Sequence, residues 1–269
     1  MGERGYLMEG EEEAVRLDVK TDGRVVEEHA RWAGLAPGMR VADLGCGSGK
    51  TTFHLHRVVR PTGRAVGVDI AAQRVDYARR HYSAPGLEFE VQDIRAPLSG
   101  LGSFDFIWIR FVLEYYLAQS FDMVRHVAGA LKPGGTLCLI DLDCNCLRFF
   151  GFPPRLERAV RGIMDGLERR CNFDPFVGVK LYAHLYDLGF EDIRVRVDPH
   201  NLIYGTFKDN ERFNWTKKAE IGGRSSGFAF DEYPGGFDEF MDDLKAHFAD
   251  PRAFTYTPLV ICRGRKPQA

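Results

Sequence analysis

Residues 40–52, R-V-A-D-L-G-C-G-S-G-K-T-T, set an acid, three alternating glycines, a lysine and two threonines on one short stretch. Val41, Ala42 and Leu44 read as a buried strand, and Lys50–Val59 can run as a helix. Gly45, Gly47 and Gly49 lie between them, tolerate positive φ and carry no Cβ. Strand, glycine turn and helix together aim backbone N–H groups at a ligand beside a helix N-terminus. Three kinds of glycine loop compete for this pattern. A phosphate-binding P-loop needs a glycine five positions before its Gly-Lys-Thr, and Leu44 stands there. A dinucleotide fingerprint needs its third glycine three residues after the second, where Lys50 stands.

Asp43, two residues before Gly45, weighs against both phosphate readings. A carboxylate repels a pyrophosphate and attracts an ammonium group. S-adenosylmethionine carries an ammonium, a cationic sulfonium and no phosphate, so the acid-first pattern D-x-G-x-G-x-G suits it best. Two more acids fall in register. A second strand is predicted at Ala65–Val68, ending on Asp69; a helix follows at Ala72–Arg80, and a third strand at Leu87–Val91 leads to Asp93. All three acids thus stand at or near the carboxyl ends of parallel strands, where open α/β sheets place ligand sites.

On these residues the chain resembles the class I S-adenosylmethionine-dependent methyltransferases, of the UbiE-like type. V-A-D-L-G-C-G-S-G is similar to that family's first motif, G-V-D-I at Gly67–Ile70 to its second, and Q-D-I at Gln92–Ile94 to its third. F-D-F-I-W-I-R at Phe104–Arg110 and K-P-G-G at Lys132–Gly135 resemble the fourth strand and the turn before the fifth. Together the five motifs cover residues 36–145. The resemblance implies an α/β fold, a Rossmann-like sheet of seven mostly parallel strands with helices on both faces. It implies S-adenosyl-L-methionine as cofactor and S-adenosyl-L-homocysteine as product. It assigns the cofactor to Asp43, Gly45, Cys46, Gly47 and Thr51 in the first motif, and to Asp69 and Ile70 in the second. Gln92, Asp93 and Ile94 follow in the third, and Arg110 at the end of the fourth strand. In that assignment Asp69 takes the ribose hydroxyls and Asp93 lies near the adenine amino group. Residues 110–113 pass under the methionine tail or the methyl group.

Around this frame, residues 9–20 read as an acidic amphipathic helix with Lys20 at its end, as the helix dipole prefers. Thr21-Asp22 can cap a second helix through Ala33, with Val25, Val26, His29, Ala30 and Ala33 on one stripe. The resemblance suggests that such helices, residues 1–36, lie over cofactor and substrate, with 37–269 as the methyltransferase domain. Tyr6, Leu7 and Met8 then sit at the mouth of the site or pack on the sheet edge. Phe121–Leu131 reads as a helix stopped by Lys132-Pro133-Gly134-Gly135, and Thr136–Leu142 as the fifth strand. Pro154–Cys171 and Gly178–Leu188 read as helices, the first with a mixed-charge, solvated face. The stretch from Val179 to Val195 resembles the family's last helix and sixth strand. Residues 201–254, roughly 55 in number, then precede a last strand at Thr255–Arg263, well beyond a usual hairpin. This insertion is rich in aromatics and holds I-G-G-R-S-S-G, which reads as a mobile piece, and a helix at Gly236–Ala249. It is expected to cover the active site with the N-terminal helices, or else to form a packing layer remote from it.

Composition narrows the partners. The 269 residues fit one large α/β domain with additions. Net charge is −2 and the 36 basic residues are scattered, which argues for no nucleic-acid polyanion and no acidic membrane surface. No apolar run approaches the roughly 18 residues of a membrane span. M-G-E-R-G-Y shows no signal-peptide pattern, and Tyr6 stands where myristoylation wants Ser or Thr, so the expected location is cytoplasmic. Six cysteines form no C-x-x-C and no zinc spacing, and read as free thiols. His54 and His56 are two apart on a helix and point to different faces, so no metal is expected. Oligomeric state leaves no signal in the sequence.

Methyl transfer from a sulfonium starts from an activated leaving group, so a protein need only align the partners and exclude water. No catalytic residue announces itself. A base helps if the acceptor is a hydroxyl or a protonated amine. Relatives often carry His after the Leu-Glu of the fourth motif, where this chain has Tyr115, and a tyrosine near pKa about 10 is a poor base at neutral pH. Glu114, Asp141, Asp143, His184 and Tyr204 remain as candidates. Ile109-Arg110-Phe111-Val112 replaces the D-P-P-Y type of motif associated with amino-methylating DNA enzymes. A small, largely uncharged organic acceptor is expected, with O-methylation ahead of N- or C-methylation. A nicotinamide-dependent oxidoreductase and a cofactor-binding protein without transferase activity stand as the rival classes.

Overall fold

The computed structural model describes residues 11–268, with side chains from Ala14 onward. Tyr6, Leu7 and Met8 lie outside the described residues. Five strands run parallel: β1 (Arg40–Leu44), β2 (Arg64–Asp69), β3 (Leu87–Val91), β4 (Phe104–Arg110) and β5 (Leu131–Leu142). Their order is β3-β2-β1-β4-β5, with β1 and β4 central. A two-residue strand, β6 (Phe149–Phe150), comes next in the chain, followed by β7 (Glu191–Tyr204) and β8 (Phe254–Arg265). β8 lies antiparallel to β5, and β7 antiparallel to β8. β6 pairs with Thr255 and Phe254 of β8, whose other side β7 already occupies, so it prolongs the β5 edge. The sheet therefore has eight strands where seven were expected; two residues are too few to leave a periodic signal.

The central strands are buried on both faces, and successive residues point into alternate cores, as the pleat demands. Val41, Phe106, Trp108, Cys138 and Ile140 face one core, with Val26 and Ala30 of α2 (Gly23–Trp32) and Leu55 and Val58 of α3 (Lys50–Val59). Ala42, Leu44, Ile107, Ile109, Leu137 and Leu139 face the other. There they meet Val124 and Val127 of α5 (Ser120–Ala128) and Leu181 and Leu185 of α7 (Leu181–Asp187). The α2 stripe holds for Val26, His29, Ala30 and Ala33, whereas Val25 turns outward. Asp22 caps α2, its carboxylate accepting from the Arg24 N–H at 2.8 Å.

Several boundaries differ from the sequence reading: β7 runs to Tyr204, into the expected insertion 201–254, and α5 ends early for a visible reason. α5 stops at Ala128, and Lys132–Gly135 lies inside β5. The Phe104 N–H donates to the Ala130 carbonyl at 2.9 Å and Phe104 pairs with Leu131, so β4 captures the chain ahead of the Pro-Gly-Gly turn. The helix expected from Gly178 begins as a short 3-10 turn, Val177–Lys180, before α7.

A third core lies apart from the sheet. α6 (Pro154–Cys171), α8 (Asp209–Ser226) and α9 (Gly236–Phe248) enclose Leu156, Ile163, Leu167, Trp215, Phe230, Phe240, Leu244 and Phe248. The piece read as mobile, Ile221–Gly227, is instead the end of α8 and its left-handed cap. Gly222 and Gly223 are buried there, and a Cβ on Gly223 would stand 2.5 Å from the Phe237 ring. Glycines that suggest motion in the sequence serve close helix packing. Gly166 of α6 makes the matching approach, 2.4 Å between its would-be Cβ and the Ser226 carbonyl oxygen. Backbone cannot swing aside as a side chain can, so Gly166→Val is expected to cost about 1–3 kcal/mol by overpacking, read in urea unfolding. Among the described residues no helix is long and apolar enough to cross a membrane.

Candidate functional site

The glycine loop after β1 is built as the sequence requires. Gly45, Gly47 and Gly49 have φ of 84°, 54° and 83°, in the left-handed region that favours glycine. Gly45 and Cys46 donate to the Val68 carbonyl, which locks the loop onto the end of β2. A Cβ at Gly45 would meet Val112 at 2.4 Å, so the chain leaving β4 presses against the loop. The N-terminal helix α1 (Glu11–Lys20) lies over the same place. Leu17 is 3.1 Å from where a Gly47 Cβ would stand, Lys50 donates to the Asp18 carbonyl at 2.7 Å, and Tyr82 bonds the Asp18 carboxylate.

Asp43 is 2% exposed and receives the Thr52 hydroxyl at 2.6 Å. Burial pushes its carboxyl up to about 7, against the pull of Thr52 and Arg110. Such a group keeps its proton in the folded chain and releases it near 3.8 when unfolded. Its contribution to stability is therefore complete below that value and is lost as pH rises through 7. Urea unfolding between about pH 4 and 8 should accordingly show a shallower loss of stability in Asp43→Asn than in the parent.

Asp69 accepts from the Gly47 N–H at 2.9 Å with one oxygen, and from the Ala71 N–H and the Arg74 guanidinium with the other. Ile70 beside it is half exposed. Asp93 takes a bidentate grip from Arg95, which holds its carboxyl below the ordinary range. Gln92 donates its amide to the Pro97 carbonyl at 2.9 Å, and Ile94 is buried in the sheet core. Tyr116 shares the electrostatic surroundings of Asp69, Arg74, Asp93 and Arg95, and burial raises its hydroxyl pKa. Arg110, at the end of β4, lies over the Phe111 ring at 4.4 Å with its Nε buried and without a partner. Burial lowers its pKa to about 10, opposed by the charges of Asp43 and Asp141.

Beyond Arg110 the carboxyl edge is strained. Phe111, Cys144 and Cys146 have φ of 57°, 49° and 62°, and Asn201 on β7 has 49°. Non-glycine residues hold such angles only where the surroundings over-determine them, and they cluster at sites. Glu114 is buried there, receives the Asn145 amide at 2.8 Å, and donates its own N–H to Asp141 at 3.2 Å. Burial pushes both carboxyls up, Asp141 well above the ordinary range. Lys20 of α1 and Lys218 of α8 act on Glu114 from opposite sides of the chain's length. Burial, then Lys218, Arg16 and Arg110, bring Lys20 down to about 7, while Glu114 works against them. The His200 ring packs tilted against Phe111, centroids 5.3 Å apart, with its Nε2 buried and unpartnered. Burial and the charges of Lys20, Arg110 and Lys218 hold it well below its usual value, so it is a neutral imidazole.

Asp43, Asp69 and Asp93 thus fall along the carboxyl ends of β1, β2 and β3, with Arg110 at the end of β4. The Cys46 side chain turns away into a pocket with Val75, Ala78 and Phe89, leaving only its backbone to the loop. The hydroxyl on Asp43 comes from Thr52, the neighbour of Thr51. That choice was legible, since 52, 55, 56 and 59 form the buried stripe of α3. Of the candidate bases, Glu114, Asp141 and Asp143 lie at this edge. Tyr204 is 75% exposed, and His184 bonds Ser120 and packs on Phe121 of α5. Lys20, Lys218 and His200 were not singled out, because only tertiary packing brings them together. His54 bonds Glu27 and His56 the Pro85 carbonyl, and among the described residues no three His, Cys, Asp or Glu side chains group as metal ligands would.

Comparison with known proteins places this geometry. The family described as a methyltransferase domain matches residues 41–135. The ubiquinone/menaquinone biosynthesis C-methyltransferase UbiE of Ectopseudomonas mendocina is 31% identical over 215 residues, 71% of this chain and 82% of that protein. A ubiquinone biosynthesis O-methyltransferase of Xanthomonas campestris is 33% identical over 110 residues, 40% of this chain; the match spans 44% of that relative's length. The solved structure of the YcgJ protein of Bacillus subtilis superposes with a TM-score of 0.56 at 15% identity, over 92% of this chain and 100% of that one, a likeness of fold. A similarity that runs through 82% of a named methyltransferase's length shows the family, and the chain belongs to the class I S-adenosylmethionine-dependent methyltransferases.

Proposed function

We propose that this protein moves the methyl group of S-adenosylmethionine to a small organic acceptor held between the carboxyl edge of β4 and β5 and helices α1 and α8. The observation that carries this is the row of Asp43, Asp69 and Asp93 at the carboxyl ends of β1, β2 and β3 around the left-handed glycine loop, with the unpartnered Arg110 Nε at the end of β4. Residues 1–36 and 201–254 are then covers on the domain 37–269, and nucleic acid is not the substrate. The side chains suit the cofactor. Asp43 offers a buried carboxylate to an ammonium, Arg110 an unsatisfied guanidinium Nε to a carboxylate, and Asp69 the remaining acceptor capacity of the oxygen that holds the Gly47 N–H to a sugar hydroxyl. Gln92, Asp93, Ile94 and the exposed Ile70 remain for the base.

When bound, the cofactor supplies a methyl group on an already activated sulfur. The chain's own residues orient the two partners and keep water out, which is where an in-line displacement gains most. Leu17 above Gly47 and the lysines of α1 and α8 provide that closure. The named relatives include both a C- and an O-methyltransferase; we favour oxygen as the accepting atom, ahead of nitrogen or carbon. Methyl-labelled S-adenosylmethionine incubated with fractionated small-molecule extract should release S-adenosylhomocysteine with some fractions and not with buffer. Binding of NAD in place of S-adenosylmethionine would overturn the reading.

A further inference from the structure

Helix α7 and the 3-10 turn before it carry an apolar stripe on each side. Val177, Leu181 and Leu185 are fully buried against the sheet core. The outer stripe, Phe176, Val179, Tyr182 and Tyr186, is open to solvent, with Val179 and Tyr186 each 65% exposed. Tyr182 and Tyr186 stack with ring centroids 6.0 Å apart, which makes the outer surface of α7 a continuous aromatic one. A helix that is apolar all round is normally covered all round. The sheet edge adds to the same face. Val195 and Val197 of β7 pair with Cys262 and Val260 of β8, which belong to the core under α7, and directly paired residues point to one face. The two valines therefore prolong that core past α7, yet stand 47% and 60% exposed. Among the described residues β7 has no strand on its outer side.

This surface is complementary to itself. Ala183, exposed and small, stands at the middle of the outer stripe with Tyr182 and Tyr186 on either side, so a second helix can cross closely there. Lys180 and Asp187 close the two ends. A two-fold axis at Ala183 sets α7 antiparallel on its own copy and brings each Lys180 against the other copy's Asp187. Lys180 already donates to the buried Asp174 at 2.6 Å, but its side chain is partly exposed and an ammonium has three donors. Asp187 is exposed. A parallel crossing would set like charges together. Opposite charges placed symmetrically about a small residue thus select a second copy over an unrelated partner, and a tyrosine-rich centre with a charged rim is the usual make-up of such a contact. We propose that this face is a homodimer interface, with α7 packed antiparallel on α7 of a second copy and Val195 and Val197 at its flank. α7 and β7 lie on the β8 side of the sheet, away from β1, so the glycine loop stays open in the dimer.

Analytical ultracentrifugation of the full-length protein between about 1 and 100 μM, the range in which a dimer of micromolar affinity forms, should show monomer passing into dimer. Tyr186→Ala should weaken the dimer at least about tenfold and leave the affinity for S-adenosylhomocysteine unchanged. Phe213→Ala, which removes an exposed aromatic of α8, should move the dimer by less than about twofold. Asp187→Lys, which sets a second cation against Lys180 of the other copy, should weaken it more than Asp187→Asn. In Ala183→Cys, mild oxidation should join position 183 to itself, as mapped by mass spectrometry, because a residue at the axis meets its own copy. A monomer throughout this range, a dimer as strong in Tyr186→Ala as in the parent, or Asp187→Lys no weaker than Asp187→Asn would overturn the proposal.

Discussion

Asparagine at position 43 is expected to weaken S-adenosylhomocysteine binding by about thirtyfold or more, yet leave the protein at least as stable at neutral pH. The two effects separate because the carboxylate at 43 is costly in the empty fold. It is buried, its one side-chain hydrogen bond comes from Thr52, and burial pushes its pKa up to about 7 in spite of Thr52 and Arg110. An amide oxygen still accepts from Thr52 and carries no charge to desolvate. A bound ammonium, in contrast, would lose its counter-charge. Calorimetry reads the affinity and urea unfolding the stability. An unchanged affinity would make Asp43 a purely structural acid, and a loss of several kcal/mol in stability would make it a structural keystone.

Phe240→Ala carries the largest expected cost in stability, about 3–5 kcal/mol. The ring is 1% exposed and packs against Phe230, Tyr233 and Phe237 at centroid distances of 5.1, 5.8 and 6.1 Å. Its core is separate from both cores of the sheet. The damage should therefore be local. Hydrogen exchange is expected to speed up in α8 and α9 while β1, β4 and the affinity for S-adenosylhomocysteine stay close to those of the parent. Loss of cofactor binding together with the helices would show that the third core and the sheet unfold as one unit.

Much of this fold could be read before any coordinates. Lys50–Val59, Leu87–Val91 and Pro154–Cys171 have the bounds read from the sequence, because apolar periodicity there is bracketed by glycine, proline or charge. Errors arose where one residue type serves two ends. Pro133, Gly134 and Gly135 stop helices in general, but pairing with Phe104 had already drawn the chain into β5. Gly222 and Gly223 look like a hinge by composition, and what they do is let α8 close on its neighbours. The acids of the site were legible since each stands at or just past the carboxyl end of a strand and so emerges at one edge. Lys20, Lys218 and His200 were not. Each looks ordinary within its own element, and they meet only because α1, α8 and β7 converge on the same edge.

The most direct test is a crystal structure with S-adenosylhomocysteine. Asp43 should be the carboxylate nearest the methionine ammonium, the ribose hydroxyls should lie on Asp69, and the adenine should sit between Ile70 and the Asp93 turn. A ligand bound away from the Gly45–Gly49 loop, or these three acids opening onto separate crevices, would contradict the cofactor site described for this chain.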